Sequence, residues 1–373
     1  MLALAHEFYF SEEIFALEQK CFQFQDTFLG HSSFVNKSQN YFVLPHTNDT
    51  KILIHNGDNV QVLSNICKHR YAIMLKDQGN CRGIICPVHS WSYDLNGKIV
   101  NSPGIECDHA SHSLEMESID IYDGFLFPKN ISVLKDALKA AKTFTNIHFE
   151  QLKLSAHECF CVNVNWKTYI DTYLDNYHLD TYHPNFRALL DSGNIESIFR
   201  EDFHVQAIHL REKTQSKPPA LKAYLDCYSK YVGKFPEDYG AVWVCIYPNV
   251  IIEIYQCFAI VAIVVPKKID SCLIYEYCLI EEQFVQHQDF LSAFDNYMCE
   301  IESEDHDLMA KIHRGRKVLY QQGSQHDGPY HPTKEAGQQQ FHDYIRRTMA
   351  FCGKKRTTVA PGSSQGWGAK STK

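Results

Sequence analysis

Hydrophobic and polar positions change period twice along this chain. From about residue 10 to 34, beginning SEEIFALEQKCF, the apolar residues are spaced as on a helix, with Ser11 placed to cap the free first-turn N–H groups and acidic residues just after it. From about Phe34 to Pro128 the period shortens. NYFVLP, KILIHNGDNVQVL, RGIIC, SYDLNGKIV and DGFLFP are brief β-type runs broken by Asn, Asp and Gly. Asn56-Gly57 and Asn96-Gly97 suit the positive φ angles of two-residue hairpin turns, so the stretch reads as a small all-β module. Past Ser132 the pattern lengthens again, with a helix over VLKDALKAA, a strand at ECFCVNVN and a helical stretch from Trp166 to His183. Long strands follow in AVWVCIYPNVIIEIYQCFAIVAIVVP and SCLIYEYCLI, then helices around 286–320 and 334–351. The tail is basic, rich in small residues and aperiodic, and reads as disordered. The expected division is an N-terminal helix (1–34), the β-module (35–131), a larger α+β domain (132–352) and the tail (353–373).

Composition narrows the possibilities. At 373 residues the chain exceeds what one hydrophobic core usually supports, which fits two domains. With 45% hydrophobic and 21% charged residues it is ordinary globular material, neither coiled coil nor disordered. A net charge of -8 argues against nucleic acid or anionic lipid as partner. The longest apolar run, Cys257 to Val265, is far short of the roughly 20 residues a spanning helix needs. The N-terminus has no basic segment before its short apolar run, so a cytoplasmic protein without a membrane partner is expected. The 14 cysteines are scattered without a secretory signal, so most are expected to be free thiols.

Two of those cysteines stand beside histidines. Cys67 and His69, then Cys86 and His89, form C-x-H-x16-C-x2-H, so two short loops each offer one thiolate and one imidazole. A tetrahedral zinc ion accepts such a set. So does a Rieske cluster, in which two cysteines hold one iron and two histidines the other.

In NWKTYIDTYLDNYHLDTYHP, Asp175, His178 and His183 follow D-x2-H-x4-H. On a helix Asp175 and His178 share a face. His183 falls about 140° away from His178, but Pro184 disfavours helical dihedrals at His183 and would distort the helix there. Two histidines among tyrosines also suit a partly buried aromatic belt. A carboxylate changes the balance, because non-haem Fe(II) oxygenases bind iron with two histidines and one acid, leaving positions open. In ESEDHDLMAKIHRG, Ile301, Leu308 and Ile312 mark an apolar stripe on which Asp305 falls, whereas Glu304 and Asp307 lie off it. A carboxylate turned into a core is costly unless paired or metal-bound, which makes Asp305 the candidate third ligand.

With these motifs in order, and with FSEEIFALEQKCF and FLGHSSFV ahead of them, the chain resembles an α-subunit of the Rieske non-haem iron, or ring-hydroxylating, oxygenases to about residue 352. Within that family it looks most like choline- and carnitine-type monooxygenases, through IYPNVIIE and QGSQHDGPYHPTKEAGQQQFHDY. The resemblance implies an α+β fold in which an all-β Rieske module is inserted in a larger helix-grip, START-like domain with an antiparallel sheet. It implies a 2Fe-2S cluster on Cys67, His69, Cys86 and His89, a mononuclear Fe(II) on His178, His183 and Asp305, and O2 as co-substrate. Asp175 matches the family's bridging carboxylate, which meets a cluster histidine, here His89, of a neighbouring subunit, so a homotrimer or a multiple of it is implied. Electrons are implied to come from NAD(P)H through a separate flavin- or ferredoxin-type reductase, since the chain has no G-x-G-x-x-G fingerprint. The expected reaction is hydroxylation or oxidative dealkylation of a small organic substrate. Aromatic dihydroxylation, or electron transfer without oxygenation, is the alternative. Tyr173, Tyr177 and Tyr182 suit a cation-π cage for a quaternary ammonium group, or simply an aromatic core.

Overall fold

The helix that opens the chain is shorter than its pattern predicts. In the computed structural model, which describes residues 3–357 apart from 26, 130, 212–216, 235–237 and 325–327, α1 spans Glu7–Phe10 and α2 Glu12–Cys21. Ser11 caps α2 as expected, its Oγ accepting from Ile14 N at 3.4 Å. The helix stops at Cys21 because the aromatic run that follows is buried by extended backbone: Phe22, Phe24 and Phe28 are each at most 6% exposed.

The β-module holds a four-stranded antiparallel sheet ordered β3-β2-β1-β4, made of β1 (Asn40–Val43), β2 (Lys51–His55), β3 (Val60–Ser64) and β4 (Gln78–Asn80). A three-stranded sheet of β5 (Ile84–Ile85), β6 (Ser92–Tyr93) and β7 (Ile99–Asn101) carries the second cysteine-histidine loop. The short helix α3 (His109–His112) and the hairpin of β8 (Ile119–Tyr122) and β9 (Phe125–Pro128) complete it. Gly57 and Gly97 take φ of 110° and 78°, the positive values their turns require.

The larger domain begins with α4 (Val133–Ala141) and is built on a seven-stranded antiparallel sheet. Its strands are β10 (Leu152–Val162), β11 (Leu190–Phe199), β12 (Phe203–Leu210), β13 (Tyr239–Ile246), β14 (Val250–Ile254), β15 (Phe258–Lys268) and β16 (Ser271–Glu281). The last six form a meander, and β10 is added beside β16. Strands β11 and β12 and helix α8 (Pro219–Tyr231) have no counterpart in the elements predicted from the sequence. The long helix α9 (Gln288–Gln321) and α10 (Ala336–Thr357) follow, and the predicted disordered tail lies largely outside the described residues.

Alternation along the strands gives the sheet two buried faces. Val242, Val244, Ile252, Ile254, Val261 and Ile263 pack in one cluster with α4 and with Phe28, Phe34, Phe42 and Phe125 of the chain's first third. Their neighbours Trp243, Ile260 and Phe258 turn the other way, onto α8 and α9, where Phe258 stacks on Phe294 at 3.7 Å between ring centres. The N-terminal helices join this second face: Tyr9 and Phe22 pack with Trp166, Ile170 and Phe341. Glu18 of α2 is fully buried and accepts from Lys167 Nζ at 2.7 and 2.9 Å and from Trp166 Nε1 at 2.9 Å. The chain therefore starts on the larger domain, passes through the β-module and returns. Among the described residues no helix is long and apolar enough to cross a membrane.

Candidate metal centres

The two cysteine-histidine loops share one backbone design. In each, the cysteine N–H donates to the carbonyl five residues on (Cys67 to Ala72, 2.9 Å; Cys86 to Trp91, 2.8 Å), and the N–H four residues on donates back to the cysteine carbonyl (Tyr71, 3.0 Å; Ser90, 3.1 Å). Tyr71 and Ser90, at equivalent places, take φ of 61° and 59°. Cys67 and Cys86 are 1% and 2% exposed, while His89 is exposed. The His69 and His89 rings lie 4.5 Å apart, and His69 stacks on Trp91 at 4.9 Å with its Nδ1 buried and unpartnered. Tyr93 Oη lies 3.5 Å from Cys67 Sγ and accepts from Lys68 N at 3.1 Å. Burial disfavours the Cys67 thiolate, but hydrogen bonds from Tyr93 and the loop backbone outweigh it and lower its pKa.

Spacing discriminates between zinc and a cluster. A tetrahedral ion with ligands at 2.0–2.3 Å brings all its ligand atoms within about 4 Å of one another. Among the described residues only His178, His183 and Asp305 form a group of three or more whose ligand atoms all lie within 4.8 Å. The set of Cys67, His69, Cys86 and His89 is more open than one ion requires. Its buried sulfurs, the exposed His89 and the buried, unpartnered Nδ1 of His69 fit a binuclear cluster with two ligands on each iron.

The second centre lies where the predicted long helix breaks. Helix α5 (Trp166–Tyr173) is followed by α6 (Leu179–Tyr182) and α7 (Pro184–Leu189). Asp175 and His178 thus sit in the turn between α5 and α6 rather than on one helical face, a correction to the sequence-based expectation, with Asp175 Oδ2 3.3 Å from His178 Nδ1. The expected distortion at Pro184 is present, since His183 is extended at φ -110° and ψ 91°. Its Nε2 meets His178 Nε2 at 3.0 Å and Asp305 Oδ1 at 3.1 Å, and His178 Nε2 is 3.4 Å from the same oxygen. Ligands at about 2.1 Å and at right angles around a metal stand about 3 Å apart, so the three atoms fit one face of an octahedral ion. Asp305 follows Tyr297 and Ile301 and precedes Met309 and His313 at steps of four, all four buried on α9. The acid is held in the row that faces the sheet.

Electrostatics favour a cation here. Burial disfavours the His178 imidazolium, yet Asp175 and Asp305 outweigh it and raise the group to about 9. Burial also raises the Asp305 carboxyl, but the two imidazoles more than compensate and hold it below its usual value. Glu304, off the apolar stripe and no ligand, accepts from His183 Nδ1 at 2.8 Å. Each of the two imidazoles therefore has a carboxylate behind it, an arrangement that orients metal-binding histidines. Glu304 as support was not foreseen; its only trace in the sequence is its place beside Asp305 on the helix. The tyrosine cage is corrected: Tyr177 is 58% exposed against His331, and Tyr182 donates to Asp307 with Lys311 over its ring, leaving only Tyr173 beside the triad.

Comparisons with known proteins bear on the family and the fold. Residues 135–350 match the ring hydroxylating alpha subunit (catalytic domain) family, and residues 27–122 the Rieske 2Fe-2S domain. A putrescine 2-hydroxylase of Ralstonia nicotianae is 30% identical, over 92% of this chain and 94% of its own. A solved quaternary ammonium Rieske monooxygenase, described with carnitine oxidation and inter-subunit electron transfer, superposes with a TM-score of 0.73 at 18% identity, covering 94% of this chain and 95% of that one. Naphthalene 1,2-dioxygenase from Rhodococcus sp. gives 0.72 at 17% identity, over 93% and 94%.

Proposed function

Because the chain belongs to the Rieske-type ring-hydroxylating oxygenase alpha-subunit family, we propose that it monooxygenates a short aliphatic amine, with His178, His183 and Asp305 holding iron and Cys67, His69, Cys86 and His89 holding the cluster. The family uses a Rieske 2Fe-2S cluster, a non-haem iron, O2 and electrons from a separate reductase. The observation that carries the residue assignment is the 3.0–3.4 Å triangle of two imidazole nitrogens and one carboxylate oxygen at a cavity wall. The amine is suggested by full-length likeness to a protein named putrescine 2-hydroxylase. When bound, the cluster supplies single electrons and the iron a site that activates O2.

The chain's own residues do the rest. Glu304 holds the His183 imidazole through its Nδ1, and Asp175, 3.3 Å from His178 Nδ1, sets a negative charge behind the other ring, while both Nε2 atoms converge on Asp305. Phe186 and Ile301 keep the adjoining wall apolar, and Tyr173 and Trp243 extend it with aromatic rings. The test is a single turnover of the reduced protein with putrescine and 18O2. One labelled oxygen in a hydroxylated amine is expected. Oxygen consumption without labelled product overturns the reading, and two labelled atoms would mark a dioxygenase.

A trimer is the assembly we favour. Tyr71, Ile85 and Val88 around the cluster loops are 76%, 60% and 57% exposed, and Asp175 reaches the surface beside the exposed Tyr177. Two different patches on one chain suit a head-to-tail contact, which in a closed ring sets Asp175 against His89 of the partner subunit. Asp175→Asn is expected to keep the cluster, the iron and the assembly while lowering reductase-driven product formation about 10- to 100-fold. An unchanged rate would remove Asp175 from this role.

A further inference from the structure

The cavity beside the triad is lined by more acid than the triad uses. Trp243 of β13 pairs across the sheet with Glu253 of β14, and Glu253 with Ile260 of β15. Two residues further along β15, Ala262 pairs with Glu276 of β16, and Glu276 with Glu158 of β10. Paired positions share a face, and Ile260 and Ala262 share theirs, so all these side chains stand on the face covered by α9. From α9 comes Glu302. Glu253, Glu276 and Glu302 line the small cavity of ≈60 Å³ at the triad. An outer pocket of ≈340 Å³ shares Ile260, Glu276, Met298 and Glu302 as walls and adds Glu158 and Asp295.

Among the described residues no lysine or arginine pairs with the three inner acids. Glu253 accepts from Tyr255 Oη at 2.6 Å, and Glu276 and Glu302 face one another across the same cavity. Burial pushes Glu253 and Glu302 up to about 7 and Glu276 well above the usual carboxyl value. A carboxylate withdrawn from water without a cation is costly, and three on one small space are costlier still. A second observation points to a missing occupant. Tyr173, lining the same cavity, leaves its buried Oη without a hydrogen-bond partner, an acceptor that an ammonium N–H can fill, and the Trp243 Nε1–H, 4% exposed, is an unpartnered donor left for an acceptor elsewhere on the occupant.

We propose that Glu253, Glu276 and Glu302 are the ammonium-recognition site of the substrate cavity, selective for primary aliphatic amines and diamines over quaternary ammonium compounds. This rests on the oxygenase reading above and adds to it the residues that choose the substrate. A primary ammonium carries three N–H donors and needs acceptors, which the carboxyls supply. A quaternary ammonium has no N–H to give these carboxyls; Tyr169, Tyr173, Phe186 and Trp243 offer it aromatic faces, but the three acids then keep their hydrogen-bonding capacity unused. The mixed wall fits a short chain with methylenes against Ile260 and Trp243. Glu158 and Asp295 at the outer pocket draw such a cation inward.

The test is equilibrium dialysis of labelled 1,4-diaminobutane against the intact iron-loaded protein, with glycine betaine as the quaternary competitor. The parent is expected to bind the diamine and to be displaced weakly, if at all, by glycine betaine. Glu276→Gln/Glu302→Gln should bind the diamine at least tenfold more weakly while keeping iron content and cluster spectrum. The single variant Glu253→Gln, on the same sheet face two strands from Glu276, gives the same reading should the double variant fold poorly. Diamine binding unchanged in both variants overturns the proposal even when the parent hydroxylates the amine, and so does tighter binding of glycine betaine. A parent that hydroxylates no amine at all overturns the functional reading instead.

Discussion

Asp305→Ala is expected to lower product formation by more than the 10- to 100-fold typical of residues that merely support a metal ligand, with iron falling from about three to about two atoms per chain and the cluster spectrum unchanged. The reason is geometric. Asp305 supplies the single oxygen that meets His178 at 3.4 Å and His183 at 3.1 Å. Without it, only two imidazoles remain of the triad, and the carboxylate oxygen that completes its third corner is gone. Iron analysis of anaerobically prepared protein checks it. Two irons in the parent as well would leave the triad without its metal and remove the oxygenase assignment of these residues.

The second large effect is on stability and lies far from the chemistry. Glu18→Ala is expected to destabilise the protein by about 3–5 kcal/mol, because it strands the Lys167 ammonium, which is fully buried and held at 2.7 and 2.9 Å by that carboxylate. Burial already pulls the Lys167 pKa below its ordinary value, with Glu18 opposing it. Losing the acid leaves Lys167 to deprotonate or to drag water into the core. Glu18→Leu/Lys167→Met replaces both charges by apolar groups and should recover most of the loss. Denaturant midpoints of the metal-loaded proteins decide it. A Glu18→Ala midpoint within about 1 kcal/mol of the parent would mean that the pair is wet. Because Lys167 lies on α5, just ahead of the turn that carries Asp175 and His178, a loosened α2 should also weaken iron binding.

The sequence exposed most where spacing and chemistry coincide. C-x-H-x16-C-x2-H announced two like loops, and Asp305 showed itself as an acid on an apolar stripe. Pro184 told in advance that His183 leaves the helix. Where the outcome depends on contacts between distant segments, the pattern was silent or misled. The run from 10 to 34 looks helical throughout, yet Phe22, Phe24 and Phe28 find partners on the large domain and draw the backbone out after Cys21. Asp175 and His178 meet through a turn, because α5 ends at Tyr173. The substrate-facing acids did leave a trace: a lone Glu in each of two otherwise apolar strands, VIIEI and LIYEYCLI, is unusual enough to mark an inward charge. Only the pairing register puts the two on one face with Glu302, and register is set by the whole sheet. Glu304 had no trace beyond its place next to Asp305, since an acid off the apolar stripe of a helix is ordinary until a particular imidazole is found beside it.

The β-module is joined to the large sheet by more than chain connectivity. Phe34 stacks on Tyr277 at 5.1 Å, Phe28 lies 5.9 Å from the same ring, and Phe42 meets His157 edge-on at 5.1 Å, all within one continuous apolar cluster. A fragment cut at 35 and 131 to serve as a stand-alone redox carrier would lose Phe28, Phe34 and Tyr277 and so bare its own Phe42, Phe125 and Phe127 of that cluster, and it should aggregate unless these three were first made polar. The same packing forbids a swinging arm: the cluster loops keep a fixed bearing on the rest of their own chain, and any search for an electron acceptor must be made by the whole subunit as it docks.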